Sequence, residues 1–296
     1  MKRIDFEFIE QHFPQRPDNA HKGTMGTLCA LTGSCGFSGA AILSAKAALC
    51  TGVGLHYQII PECIYPIFAS SVFESVCVPV RGNGKTLCSD DFTAISPTLQ
   101  KATAVLIGCG MGNSDDTAGL LHKVLQYAKC PVIIDADGIN AIAQHIHILK
   151  DAEGELILTP HIKEFSRLSG LSVEEILNDP AKVAADFAEK HSGVTLVLKG
   201  HRTYVAKDEE LYENIAGNSG MAKGGSGDVL AGIIASLTAQ GAKPFDAAVM
   251  GVHIHAIAGD IAAAKLSRTA MLPSDIIRSL PEIYKLIEDG RDNGAS

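Results

Sequence analysis

The residues best placed to do chemistry are Asn218-Ser219-Gly220-Met221-Ala222-Lys223-Gly224-Gly225-Ser226-Gly227-Asp228-Val229-Leu230. Gly224, Gly225, Ser226 and Gly227 lead into an acid that opens an apolar helical run, VLAGIIASL. Successive free amides at a helix N-terminus make an anion hole backed by the positive end of the dipole, which suits a phosphoryl group. Asp228 at the same point can take a proton from a substrate hydroxyl lying beside that phosphate. The plainer reading makes Asp228 a first-turn carboxylate that steadies its helix by about 0.3–1 kcal/mol. The glycine density exceeds what a cap needs and favours chemistry. No GxxxxGK[ST] occurs, and no GxGxxG opens a βαβ unit with a ribose-binding acid after it, so this is neither a Walker A loop nor a Rossmann fingerprint.

Two further glycine turns follow apolar runs. Gly33-Ser34-Cys35-Gly36-Phe37-Ser38-Gly39-Ala40-Ala41 lies after Thr27–Thr32, with Ser38 as a possible helix cap, and Gly108-Cys109-Gly110-Met111-Gly112 follows Val105–Ile107. Each is either a place where backbone approaches a ligand or a tight connection. Leu158-Thr159-Pro160-His161-Ile162-Lys163-Glu164 reads as a strand end and a helix start at Thr159 or Pro160, with Glu164 able to close a capping box and His161 able to bond an amide or phosphate oxygen. Lys199 and Arg202 of Lys199-Gly200-His201-Arg202-Thr203 serve phosphates or stand in solvent at a hairpin. Asp135-Ala136-Asp137-Gly138-Ile139-Asn140 offers carboxylates that suit a turn and N-cap better than a metal. His253 and His255, two apart on a helix, point to different faces and form no ligand pair.

The elements that must position these residues alternate. Strands are expected at Thr27–Thr32, Val53–Ile60, Ala104–Ile107, Val132–Ile134, Leu156–Leu158 and Val194–Leu198, with helices at Ser38–Leu49, Asp116–Tyr127 and Ala181–His191. Such alternation implies a mostly parallel sheet covered on both faces. KGHRTYVAKDEELYEN reads as two short strands about a charged turn, an antiparallel edge. Helices follow at Asp228–Ala239, Asp246–Ala264 and Ser274–Ile287, and RDNGAS is expected to fray. Ligands of open α/β sheets bind outside the carboxyl ends of the strands, where the glycine turns fall.

Composition bounds the function. Twenty-five Lys+Arg against 33 Asp+Glu give a net charge of −8 over 296 residues, with no basic cluster, so nucleic-acid binding through bulk charge is excluded. The 46% hydrophobic content excludes disorder. The eight cysteines contain no CxxC and no Cys/His zinc spacing. The N-terminus lacks a signal peptide's apolar stretch, and the apolar segment Phe245–Ala264 carries Asp246, His253, His255 and Asp260, so no membrane association is expected. A reduced, cytoplasmic protein of one domain over residues 1–296 is the expectation.

Seven motifs in order, HKGTMG, GSCGFSGAA, IGCGMG, DADGIN, LTPHIKE, VLKGHRT and NSGMAKGGSGDVLAG, resemble the ADP/ATP-dependent NAD(P)H-hydrate dehydratase family of the ribokinase-like superfamily over nearly the whole chain. TPHIKE stands where the family has TPHPGE, and GCG where it has GPG. The resemblance implies a ribokinase-like three-layer α/β/α sandwich, with a mostly parallel central sheet, antiparallel edge strands and helices on both faces. It implies phosphorylation of the ring hydroxyl of hydrated NADH or NADPH, then phosphate loss. Asp228 would be the base, with the amides of Gly225, Ser226 and Gly227 holding phosphoryl charge. Gly39, Ala40, Ala41, Gly110, His161, Asn218 and Asp228 would line the hydrated-cofactor site, and Lys199, Gly200, His201, Arg202, Thr203 and Gly227 the nucleotide site. ADP or ATP would be the phosphoryl donor, with ADP preferred, and Mg²⁺ would accompany the phosphates with no protein ligand named by the sequence.

The small-molecule substrates expected are therefore hydrated NADH or NADPH and ADP or ATP. A homo-oligomer is expected, the small-residue helix Ser38–Leu49 packing on its own sheet or on a neighbouring subunit. No N-terminal epimerase domain is expected, so an epimerase would be a separate protein. The alternatives are a ribokinase-like kinase of a vitamin precursor or sugar, and a non-catalytic nucleotide-binding regulator, which would have no need of Asp228.

Overall fold

Strand residues point alternately to opposite faces, so a run that is apolar throughout must be covered twice. The computed structural model describes the backbone of residues 1–294 and the side chains of residues 1–290. Its ten strands are β1 (Lys2–Arg3), β2 (Thr27–Leu31), β3 (Leu55–Pro61), β4 (Val76–Val80), β5 (Ala104–Ile107), β6 (Val132–Ile134), β7 (Leu156–Leu158), β8 (Val194–Leu198), β9 (Thr203–Lys207) and β10 (Glu210–Asn214). They form one sheet in the order β1-β10-β9-β8-β7-β6-β5-β2-β3-β4. Among the described residues, only the pairs β8/β9 and β9/β10 are antiparallel.

On one face, Leu31, Ile107, Ile134, Leu158 and Leu198 pack with side chains of the helices Asp115–Tyr127, Ile162–Ser169 and Pro180–Lys190. On the other, Leu28, Leu106, Ile133, Ile157 and Val197 meet Leu230 and Ile234 of the helix Ser226–Ala239 and Val249 and Val252 of the helix Pro244–Leu266. The helix Ser38–Cys50 packs on its own molecule: a Cβ at Gly232 would lie 2.3 Å from the Ser44 carbonyl, so the two backbones nearly touch. Helix Pro244–Leu266 is long and apolar enough to cross a membrane by length and composition, yet 72% of its apolar window is buried within the molecule.

Strand order reverses between β2 and β5. The chain runs outward through β3 and β4, then returns to place β5 on the other flank of β2. A sheet opens a crevice at such a switch point. The two turns that leave β2 and β5 are joined there: Gly33 N–H donates to Cys109 O at 2.8 Å, and Ser34 Oγ donates to Gly110 O at 2.8 Å.

Several local expectations are revised. β4 is not among the expected strands; it contains Pro79, which is tolerated because β4 is the sheet's edge. The β9–β10 hairpin is antiparallel, but the outermost strand beyond it is β1, which pairs parallel to β10. Phe37, not Ser38, is the N-cap of its helix, and its side chain makes no capping bond. The last helix runs Pro273–Gly294, so Arg291 to Gly294 of the tail expected to fray are helical, while 295 and 296 lie outside the described residues.

Candidate active site

Asp135 follows β6, Thr159 follows β7 and Lys199 follows β8, so three adjacent parallel strands deliver them to one place. Asp135 is buried, and its Oδ1 accepts from Thr159 Oγ1 at 2.6 Å and from Lys199 Nζ at 2.8 Å. Burial alone would raise the Asp135 carboxyl, but the Lys199 ammonium and its hydrogen bond outweigh it and hold the pKa below the ordinary value. Burial likewise works against the charged Lys199, and the charges of Asp135 and Glu164 overcome it, leaving its pKa raised. The pair is therefore ionised on both sides. Between Asp135 and Asp137, Ala136 sits at φ 48°, unusual for a residue with a Cβ. That twist sends Asp137 the other way, where its Oδ2 accepts from Gly112 N–H at 2.8 Å.

The helix Ser226–Ala239 starts at this cluster. Its N-cap, Gly225, has φ 101°, a conformation that L side chains rarely adopt. A Cβ there would also lie 2.6 Å from Leu43 Cδ1. At Gly227 a Cβ would fall 3.2 Å from Lys199 Nζ and 3.9 Å from Asp135 Oδ2, so the bare backbone lies directly under the ammonium. Ser226 N–H donates to Lys223 O at 3.2 Å, and among the described residues no acceptor meets the N–H groups of Gly225, Gly227 and Asp228. The expected run of three open amides at 225, 226 and 227 is thus interrupted at Ser226.

Asp228 is half-buried in the first turn. Burial, then the negative charge of Asp135, raises its carboxyl from 3.8 to about 7, with Lys199 pulling the other way. A carboxyl poised there is half deprotonated at neutral pH, as a general base requires. Cys109 completes the cluster: its Sγ lies 3.5 Å from Asp135 Oδ2, and the donor atoms of Cys109, Asp135 and Asp228 all lie within 4.8 Å of one another. Burial, then the charges of Asp135 and Asp228, keep this thiol protonated, its pKa well above the ordinary value.

Over the cluster opens a cavity of about 1000 Å³. Asp135, His161, Lys199, Gly200, His201, Thr203, Asn218, Gly225, Ser226, Gly227 and Asp228 line it. Arg202 does not. Its Nη1 donates to Glu213 Oε1 at 2.7 Å, away from the lining. Gly39, Ala40, Ala41 and Gly110 are outside this cavity too, at the joined turns of the switch point. There a Cβ on Gly110 would meet Ala40 Cβ at 2.8 Å, and Ala41 is buried beneath Gly33. Cys109, next to Gly110 in sequence, ties that corner to Asp135.

His161, rather than Thr159 or Pro160, caps its helix. Its Nδ1 accepts from the amides of Lys163 and Glu164 at 3.1 and 3.2 Å, and Glu164 Oε2 accepts from His161 N–H at 2.9 Å. That leaves the Nε2 edge, 3.4 Å from Glu164 Oε1, on an exposed side chain at the cavity. Asn218 is engaged internally: Oδ1 accepts from Gly220 N–H at 2.9 Å, and Nδ2 donates to Gly259 O at 3.0 Å and Asp260 Oδ1 at 2.8 Å.

Sequence reasoning missed His255. It lies on the helix Pro244–Leu266, buried at the cavity wall, with Nε2 lacking a partner. Burial, then the Lys199 charge, lowers its pKa to about 4, so the ring is neutral. Ser226 Oγ, lining the same cavity, is also buried and unpartnered. Orphaned buried polar atoms are rare and call for a ligand or water. The signal available in sequence was a histidine within a mostly apolar helix, one of several polar residues there. His253 indeed faces elsewhere, its Nδ1 2.8 Å from Asn214 Oδ1.

A family model described as NAD(P)H-hydrate dehydratase matches residues 28–282. An ADP-dependent (S)-NAD(P)H-hydrate dehydratase of Neisseria meningitidis serogroup B is 37% identical over 257 residues, 84% of this chain and 81% of its own. A bifunctional NAD(P)H-hydrate repair enzyme of Moorella thermoacetica is 38% identical over 95% of this chain, which spans 53% of that relative's length. The chain thus covers about half of such bifunctional relatives. Among solved structures, an ADP/ATP-dependent NAD(P)H-hydrate dehydratase from Bacillus subtilis, co-crystallised with ATP and Mg²⁺, superposes with a TM-score of 0.81 at 27% identity, covering 97% of this chain and 98% of the other.

Proposed function

Since this chain belongs to the NAD(P)H-hydrate dehydratase family and has its ribokinase-like fold, we propose that it restores hydrated NADH or NADPH to the intact cofactor at the expense of ADP or ATP. The observation that carries the reading is the carboxyl of Asp228, set near pH 7 at the foot of a glycine helix start that lies under Lys199. Hydroxide is a poor leaving group. Asp228 takes the ring hydroxyl's proton as its oxygen attacks the terminal phosphorus of the nucleotide, and the bond to the nucleotide's bridging oxygen breaks. Phosphate then leaves the ring carbon, pushed by the lone pair of the ring nitrogen, and loss of a proton from the neighbouring carbon restores the double bond.

The amides of Gly225, Gly227 and Asp228, with Lys199 above them, meet the charge on the transferred phosphoryl group. Asp135 and Thr159 act by fixing Lys199. We assign Gly200, His201 and Thr203 to the nucleotide side, and the joined turns carrying Gly39, Ala40 and Gly110, with His161, to the hydrated nicotinamide. Arg202 drops out of contact because Glu213 holds it.

Mg²⁺ prefers hard oxygen ligands and keeps several waters. Among the described residues the one group of metal-type donors is Cys109, Asp135 and Asp228. One of these is a thiol, and Asp135 is already neutralised by Lys199. These residues do not make a Mg²⁺ cage, so the ion is assigned to the nucleotide's phosphates and no step is derived through it. ADP is the preferred donor, after the name of the Neisseria relative. The eight free thiols suit a reducing, cytoplasmic setting, and a homo-oligomer would cover exposed Phe37, Ile67 and Phe73.

The test is incubation with hydrated NADH and either nucleotide, following recovery of nicotinamide absorbance together with phosphate release. A stable phosphorylated product would make the chain a kinase, and no recovery with either nucleotide would end the dehydratase reading.

A further inference from the structure

Two cysteines outside this chemistry meet in space. Cys35 and Cys63 are the exposed thiols of the eight, the others being buried or half-buried. Cys35 belongs to the glycine turn after β2, and Cys63 to the short 3₁₀ turn Glu62–Ile64 after β3. The two turns are packed together: a Cβ at Gly33 would lie 2.9 Å from Ile64 Cδ1. One carbonyl also joins them, since Lys85 O accepts from Cys35 N–H at 2.8 Å and from the Cys63 thiol at 3.8 Å. The side chains face each other closely enough that, after burial, Cys35 is what raises the pKa of Cys63.

From this juxtaposition we propose that Cys35 and Cys63 form a disulfide-forming modification site for a peroxide, whose closure pins the glycine turn against the Glu62–Ile64 turn. The Cys35 thiolate attacks a peroxide oxygen, and the O–O bond breaks to leave a sulfenic acid and one water. The Cys63 sulfur then displaces the sulfenic hydroxyl as its proton passes to that hydroxyl, forming the S–S bond and releasing a second water. Two thiols lose two protons and two electrons, and hydrogen peroxide is reduced to two waters. Burial, then the facing Cys35, raises the pKa of Cys63, which disfavours Cys63 as the first attacker. Both sulfurs sit in turns, so the bridge forms without breaking a strand.

The effect on catalysis rests on the reading of the glycine turn as part of the hydrated-cofactor site. Oxidised with stoichiometric hydrogen peroxide, alkylated and digested without reductant, the protein should yield a Cys35–Cys63 linked peptide that disappears with dithiothreitol. KM for hydrated NADH should rise about fivefold or more, the lower end of ordinary conformational coupling, and return on reduction. Nucleotide Kd should stay unchanged. Cys63→Ser should give no linked peptide and keep the reduced enzyme's KM under peroxide. Oxidation that ends in sulfinic acids or other pairings, or a linked peptide with an unmoved KM, overturns the proposal. Were the dehydratase reading itself wrong, the linked peptide would still form and decide the thiol chemistry alone.

Discussion

Replacing Asp228 by Asn should destroy turnover and make the protein more stable, by an amount that grows with pH. In the unfolded chain this carboxyl ionises near 3.8, whereas in the fold it ionises near 7. A carboxyl raised in the folded state costs nothing below pH 3.8, where both forms are protonated. Between 3.8 and 7 only the unfolded chain ionises, so stability falls as pH rises, and above 7 the full cost is present. At about 1.4 kcal/mol per factor of ten in proton affinity, that cost is about 4 kcal/mol. Asn carries no charge and escapes it. The advantage of Asn should grow by about 2 kcal/mol between pH 5.5 and 8, a difference that cancels any pH-independent effect of the substitution. Urea unfolding of both proteins at the two pH values measures it; assayed alongside, turnover should be lost in the variant and nucleotide binding should persist. An advantage that is flat or shrinks with pH would refute the raised carboxyl, and normal turnover would remove Asp228 from the mechanism.

Gly227→Ala places a methyl 3.2 Å from Lys199 Nζ and should lower kcat/KM by about tenfold or more, read by steady-state kinetics. Gly225→Ala, strained by its φ of 101° and by Leu43, should cost about 1–3 kcal/mol in denaturant unfolding. Lys199→Met leaves Asp135 buried without its cation and should destabilise by about 3–5 kcal/mol; equal stability would mean that the pair is not formed. His255→Leu should lower kcat/KM, read by steady-state kinetics, with no new pH dependence above pH 5, because the ring it removes is already neutral there.

The parts of this molecule legible in the sequence are those fixed by local pattern. β5, β6 and β7 are fully apolar runs, β8 is apolar but for Thr195, and all four read as strands covered on both faces. The glycine turn before Asp228 announces itself through composition. β4 is not among the expected strands, and the edge position that accommodates its Pro79 is a fact of strand order. The Asp135–Lys199 pair spans 64 residues and exists only because β6 and β8 flank β7, a fact of strand order that no spacing encodes. Arg202 looked equal to Lys199 as a phosphate ligand, but Glu213 on the neighbouring strand claims it. His255 was hidden for a related reason: which wall of the cavity a helix presents depends on how the helix is laid across the sheet.

The helix Pro244–Leu266 carries His255 into the cavity and is also the stretch whose length and hydropathy would let it cross a bilayer. Its neighbours shelter most of that surface only while the sheet stands. When the chain opens, the wall of the ligand cavity becomes its stickiest segment, ready to adhere to lipid or to other open copies. Holding ligands and avoiding aggregation are therefore the same demand on this helix, and any ligand that binds only the folded chain would guard against precipitation as well.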